Sequence, residues 1–184
     1  MSSPPALFTD RLVLRELRLT DAAEVASGAG DKRVARYLIQ VPSPYPVSLA
    51  RRWIAGRIDW WESGRGVTYA IARRDGEPLL GTVSLRRFSR DRRAELGYWL
   101  GHRAWGKGLA TEAARALVAF GFEHLDLARI YAQVLAGNTG SAHVLDKLGM
   151  VREGVKRQHV KKGAKLFDVA IYGLLRDEWS ARAG

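Results

Sequence analysis

The 184-residue chain contains no cysteine. This excludes disulfides, thiolate metal ligands and a covalent cysteine intermediate, and it fits a reducing compartment. No run of about 18 apolar residues occurs, so no membrane-spanning helix is expected. The opening residues, Met1 to Pro5, have neither the basic nor the apolar stretch of a secretory signal, and the expected location is the cytoplasm. Acidic residues are few: 19 against 30 Lys and Arg, for a formal charge of +11. Such a surface attracts anions. Phosphate-bearing small molecules come first, and nucleic acid or ribosome next; the plain alternative is a solvated arginine-rich surface. No basic run with interleaved aromatics stands out. Residues 86–93 come nearest and read as a connection between two strands.

What is present is concentrated in residues 94–112. Residues 94–100, Ala-Glu-Leu-Gly-Tyr-Trp-Leu, read as a strand, and 103–112, Arg-Ala-Trp-Gly-Lys-Gly-Leu-Ala-Thr-Glu, as a glycine turn entering a helix. The first N–H groups of a helix lack internal partners and its dipole leaves that end partly positive, which suits phosphate or pyrophosphate. Gly106 and Gly108 permit positive φ and close approach, and Arg103 and Lys107 add charge. A dinucleotide fingerprint would need a third glycine where Thr111 stands, and the Gly-Lys-Ser/Thr ending of a Walker A loop is missing.

The rest of the chain reads as one domain with a sizeable core, with residues 1–6 and 180–184 expected to be flexible. Strands are expected over 7–17, 67–72, 79–88, 94–100, 130–135, 152–160 and 166–175. Helices are expected over 20–27, 48–62, 107–124 and 139–148, with Thr20 and Ser48 as caps and Gly149 as a stop. Pro42, Pro44 and Pro46 mark a loop, and Asp75-Gly76 and Lys162-Gly163 mark turns. The tail beyond Trp179 is expected to fray. The result is an α+β domain: a central, mostly antiparallel mixed sheet of about seven strands, flanked by about four helices.

Arg-x-x-Gly-x-Gly-x-Ala over 103–110 resembles the acetyl-CoA pyrophosphate loop of the GNAT acetyltransferases. Residues 9–15 (Thr-Asp-Arg-Leu-Val-Leu-Arg), 95–100, Asn138 to Ser141, 145–150, Gly154, Asp168 and 172–179 resemble, in order, elements of the ribosomal-protein N-acetyltransferase (RimJ/RimL-like) branch. The resemblance spans about 9–179. It implies a sheet splayed between its fourth and fifth strands, with acetyl-pantetheine in the gap. Tyr98, Trp99 and Leu100 would pair with it, and a backbone N–H near Leu100 would polarise the acetyl carbonyl. Arg103, Trp105, Gly106, Lys107, Gly108, Leu109, Ala110 and Thr111 would hold the pyrophosphate end, with Asn138 and Ser141 beside the pantetheine. Acetyl-CoA is then the cosubstrate, with no metal, and the reaction is direct attack by a primary amine in a ternary complex.

A protein N-terminal α-amine leads as acceptor, because its pKa near 8 makes deprotonation easier than for lysine at about 10.4. Small amines (antibiotics, polyamines or amino acids) remain alternatives, as does a non-catalytic nucleic-acid or ribosome-binding module. The chain is expected to be a monomer or homodimer.

Glu95 is the first candidate for the base; its alternative is an exposed strand residue paired with Arg93 or Arg86. Asp168, Glu153 and His159 are rivals, Asp168 also serving as a tie within the last hairpin. Ser141 is the candidate at the thiol end, with simple helix capping as its alternative. No tyrosine stands near Ser141 in the sequence, which leaves the acid open. Asn138 either bonds the pantetheine amide or caps the helix. Trp105 is expected to pack the loop on the sheet, and Trp60 and Trp61 either line an acceptor groove or enter the core. Glu112 is expected to point away from the phosphate site.

Overall fold

The computed structural model describes residues 3–74, 78–88 and 91–183. Eight strands form one sheet in the order β1-β2-β3-β4-β5-β6-β8-β7. They are β1 (Leu7–Phe8), β2 (Leu12–Glu16), β3 (Gly66–Arg73), β4 (Leu79–Phe88), β5 (Arg93–Leu100), β6 (Arg129–Leu135), β7 (Val151–Lys162) and β8 (Lys165–Leu175). Every neighbouring pair is antiparallel except β5 and β6. Six helices are described: α1 (Ala22–Gly30), α2 (Lys32–Ala35), α3 (Val47–Glu62), α4 (Leu109–His124), α5 (Thr139–Leu148) and α6 (Arg176–Ala183).

Side chains alternate across a strand, and the sheet buries both faces. On one face, Leu12, Leu14, Tyr69, Ile71, Leu85, Ala94, Leu96 and Leu100 pack against α4 and α5 in the main core. On the other, Ala70 and Leu79 meet α1 and α3 through Val25, Ala26, Ala50 and Ile54. Trp99 belongs to this second face: a Cβ added to Gly28 of α1 would sit 2.9 Å from its ring. Small residues let α4 lie close to the sheet, and a Cβ at Gly121 would come within 2.8 Å of Leu85 Cδ1.

Several elements differ from the sequence reading. The first strand is a hairpin, because the Thr9 hydroxyl accepts from the Leu12 amide and the chain folds back at Asp10-Arg11. The strands called fourth and fifth above are therefore β5 and β6. Helix α1 begins at Ala22 rather than after a Thr20 cap; Asp21 instead accepts from the Arg18 amide at 2.8 Å and bridges to Arg15. Helix α3 begins behind Pro46, so Ser48 lies inside it. The short helix α2 was not anticipated; the Asp31 side chain caps it. Helix α6 continues past Trp179 to Ala183. The expected Asp75-Gly76 turn lies outside the described residues.

Candidate active site

Strands β5 and β6 pair only through Arg93–Arg129, Ala94–Ile130 and Glu95–Tyr131. β5 then continues to Leu100 beside β4, and β6 to Leu135 beside β8. The two strands part after Glu95 and leave a gap. The Gly101 amide and the Trp99 carbonyl turn toward β4. Strand alternation then turns the backbone groups of Tyr98 and Leu100 into the gap. The Leu100 carbonyl is taken by the Trp105 indole N–H at 2.7 Å. Trp105 thus ties the following turn to the strand, as expected.

That turn passes through a short 3-10 segment at His102–Ala104 and two left-handed glycines, Gly106 at φ 72° and Gly108 at φ 74°. A Cβ at Gly106 would meet nothing within 4 Å, and at Gly108 only Arg11, at 3.5 Å. Gly108 is the N-cap of α4 and has no side chain to cap it; the first helical bond begins at the Glu112 amide. The amides of Leu109, Ala110 and Thr111 therefore stand at an uncapped, partly positive helix end. Arg103 and Lys107 are exposed beside it, with the Lys107 ammonium on the Arg103 carbonyl at 3.0 Å. Arg11 was missed: its guanidinium donates to the Lys107 carbonyl at 2.9 Å and so edges the same turn. The only hint in the sequence was its place in the N-terminal motif. Glu112 points away from the turn, accepting from the Thr9 hydroxyl at 2.6 Å and from Arg11 at 2.7 Å. Burial would raise its pKa, but these hydrogen bonds prevail and hold it below the ordinary value.

Across the gap, the Tyr98 hydroxyl lies 2.8 Å from Ser141 Oγ and donates to the Ser141 carbonyl at 3.1 Å. A tyrosine does stand beside Ser141, which corrects the sequence reading: it arrives from 43 residues away, on a different element. Burial pushes the phenol well above its usual pKa, outweighing the hydrogen bond from Ser141. Asn138 takes the capping role, its side-chain oxygen accepting from the Ser141 amide at 3.2 Å.

Glu95 marks the last paired rung of β5 and β6. One carboxylate oxygen accepts from the Gln133 amide at 3.0 Å, and the other pairs with Arg86. Glu95 alternates with Tyr98 along β5 and lies on the Trp99 face, toward α1. The gap thus has a carboxylate on the α1 face and a hydroxyl pair on the α4 face.

The rival bases are engaged elsewhere. Glu153 forms a two-oxygen ion pair with Arg129, whose hydrogen bonds lower its pKa. Asp168 accepts from the Gln158 amide at 2.7 Å, holding a bulge where Gln158 has φ 47°. His159 is exposed on β7. Trp61 packs on Phe120 in the core, and Trp60 lies under the Arg57 guanidinium at 3.8 Å.

An open mixed sheet with two strands splayed beside a glycine turn is the fold of the GNAT acetyltransferases, and comparison with known proteins agrees. The family model described as acetyltransferase (GNAT) domain matches residues 11–151. The chain is 35% identical over 175 residues to the uncharacterized N-acetyltransferase p20 of Bacillus licheniformis, covering 95% of this chain and 98% of that one. It is 26% identical over 128 residues to the ribosomal-protein-serine acetyltransferase of Escherichia coli, covering 69% and 70%. The structure of RimL, a ribosomal L7/L12 alpha-N-protein acetyltransferase in complex with coenzyme A, shares the fold with a TM-score of 0.85 at 19% identity, over 95% and 99% of the two chains. The chain belongs to the GNAT family and is an N-acetyltransferase. No helix among the described residues is long and apolar enough to cross a membrane.

Proposed function

We propose that the enzyme moves an acetyl group from acetyl-CoA to a protein N-terminal α-amine, by direct attack in a ternary complex. The single observation that carries this reading is the placement of two proton-handling groups on opposite faces of one gap: Glu95 on the α1 face, Tyr98 with Ser141 on the α4 face. One side suits an entering amine and the other a departing thiolate.

The residues fit the cosubstrate. The open space at Gly106, the uncapped start of α4 and the cations Arg103, Lys107 and Arg11 would hold the pyrophosphate. The backbone of Tyr98 would pair with a pantetheine amide in place of the missing strand partner. When bound, acetyl-CoA supplies an activated thioester carbonyl. The Leu100 N–H, turned into the gap, would donate to the oxygen that gains charge as the C–N bond forms. Glu95 takes the proton released by the amine nitrogen, and Tyr98 Oη, backed by Ser141, gives a proton to the sulfur as the C–S bond breaks. No cysteine is present to carry an acyl intermediate. An α-amine, half neutral near pH 8, needs only modest help from such a carboxylate.

The relatives support a protein acceptor, since the Escherichia coli relative is named for a ribosomal-protein serine. The test is thiol release from acetyl-CoA with a panel of free-N-terminus peptides beside polyamines, amino acids and aminoglycosides. Turnover of peptides above all small amines is expected. Release confined to small amines would overturn the N-terminal acceptor.

A further inference from the structure

A second concavity lies away from the acetyl gap, between α2 with its following loop and the tip of the β7–β8 hairpin. It has a volume of about 520 Å³. Lys32, Arg36 and Lys161 supply its charge, and Ile39, Val41 and Pro42 its apolar wall. No Asp or Glu lines it among the described residues. The nearest acid in sequence, Asp31, is spent on Arg33 and on capping α2. The Arg36 guanidinium lies 4.5 Å over the Tyr37 ring, a contact that leaves its N–H edge available. The two walls are fastened together: Lys162 Nζ donates to the Ala35 and Leu38 carbonyls of the facing segment. The concavity is therefore built by long-range contacts, and Lys32, Arg36 and Lys161 line it with no acidic residue among the described ones.

Its position relates it to the gap. Ile171 of β8 is level with Gln133, which holds Glu95. From there β8 runs back to Leu166, level with Lys161 at the hairpin tip. Five residues of strand cover about 17 Å. Lys162 stands opposite Lys165, which shares a face of β8 with Ile171, and its ammonium reaches the Ala35 and Leu38 carbonyls, so this wall of the concavity lies on the same side of the sheet as Gln133 and Glu95. An extended peptide covers that span with about five residues; a small amine does not.

We infer that this basic concavity is a second recognition site for the acceptor, taking an acidic side chain about five residues behind the reacting N-terminus. The proposal rests on the N-terminal α-amine reading above. It also gives the excess of positive charge a use, since an acidic chain is drawn toward the enzyme and a basic one is repelled. The apolar half of the wall favours a peptide over nucleic acid, and among the described residues no aromatic ring lines it for a base to stack on.

The experiment uses three synthetic peptides of one sequence with Glu, Gln or Lys at the sixth position. Thiol release gives KM and kcat. Binding of the same peptides, acetylated at their N-termini, is measured by calorimetry. With wild-type enzyme, KM for the Glu peptide should be about tenfold below that for the Lys peptide, with similar kcat. In the double variant Arg36→Glu, Lys161→Glu the order should invert; both side chains are exposed, and an unchanged melting temperature checks the fold. Equal kcat/KM for all three peptides would overturn the site while leaving the α-amine reading intact. Charge-ordered binding without thiol release would do the reverse. Inhibition of all three peptides alike by a short RNA, lost in the double variant, would assign the cations to nucleic acid and overturn the proposal.

Discussion

Replacing Tyr98 by Phe removes one oxygen atom and leaves the half-buried ring in place. The lost groups are its two contacts with Ser141, at 2.8 and 3.1 Å, which join β5 to the start of α5 across the gap. A hydrogen bond contributes about 0.5–1.5 kcal/mol net, so about 1–2 kcal/mol of stability should go, because half-buried Ser141 can recruit water in part. In a chain of this size that is a melting-temperature fall of about 2–8 °C. The effect on turnover should be of a different kind. Proton donation to a leaving group contributes about 10²–10⁴-fold, and the remaining Ser141 hydroxyl can take over part of it. The expected fall in kcat is therefore about 10- to 100-fold, equal to about 1.4–2.7 kcal/mol of barrier. Thiol release at saturating acetyl-CoA measures kcat, and calorimetry measures acetyl-CoA affinity, which should change little. Ser141→Ala and the double variant complete the cycle. If Tyr98 and Ser141 act as one unit, the double variant is scarcely slower than Tyr98→Phe alone. A melting-temperature fall with kcat within twofold of wild type would refute the reasoning and leave the contact as a strut.

Other outcomes follow from the same geometry. Glu95→Gln keeps the shape of the contact with Gln133 and removes the carboxylate, so kcat should fall about 10²-fold while acetyl-CoA affinity in calorimetry stays level. Gly106→Ala places a methyl in open space at φ 72°; thermal unfolding should show a strain cost of about 1–2 kcal/mol, and a fall in acetyl-CoA affinity shows that a ligand occupies that space. Asp21 and Glu112 both have pKa values below their ordinary 3.8 and 4.5. Groups lowered by folding stabilise above the ordinary value and lose that contribution as pH falls through the lowered one. The melting temperature should thus be flat above pH 5 and drop below about pH 4. Asp21→Asn, which removes the carboxylate that accepts from Arg15 and from the Arg18 amide, should cost about 1–3 kcal/mol in denaturant unfolding and weaken that acid dependence.

The sheet and its helices were legible because apolar periodicity and glycine stops are strong local signals: β4 and α5 fall on the expected residues. Boundaries set by tertiary contact were not. The break at Asp10 depends on the Thr9 hydroxyl turning back to Leu12 and on Glu112 receiving both Thr9 and Arg11 from α4, more than 100 residues away. Helix α2 has four residues, too few for a period. Within the site, Glu95 makes the ion pair with Arg86 that its alternative reading gave, and the glycine turn could be read as a local pattern. The Tyr98–Ser141 contact could not, because it needs the splay to bring two separate elements together. Asn138 and Asp168 each carried two readings in the sequence, and each makes the structural contact in the fold.

The parting of β5 and β6 also bears on association between chains. Unpaired strand edges recruit other strands, and proteins guard them at the borders of a sheet. Here two such edges lie in the middle. The Glu95–Gln133 bond closes the inner end of the slit, and the Tyr98–Ser141 bond spans it further along. One of the two outer borders, β7, is guarded differently: it bulges at 156–160 and carries Lys156, Arg157 and Lys161. The fold thereby keeps a long open seam for its chemistry in the middle of the sheet, with side-chain contacts tying its two sides together.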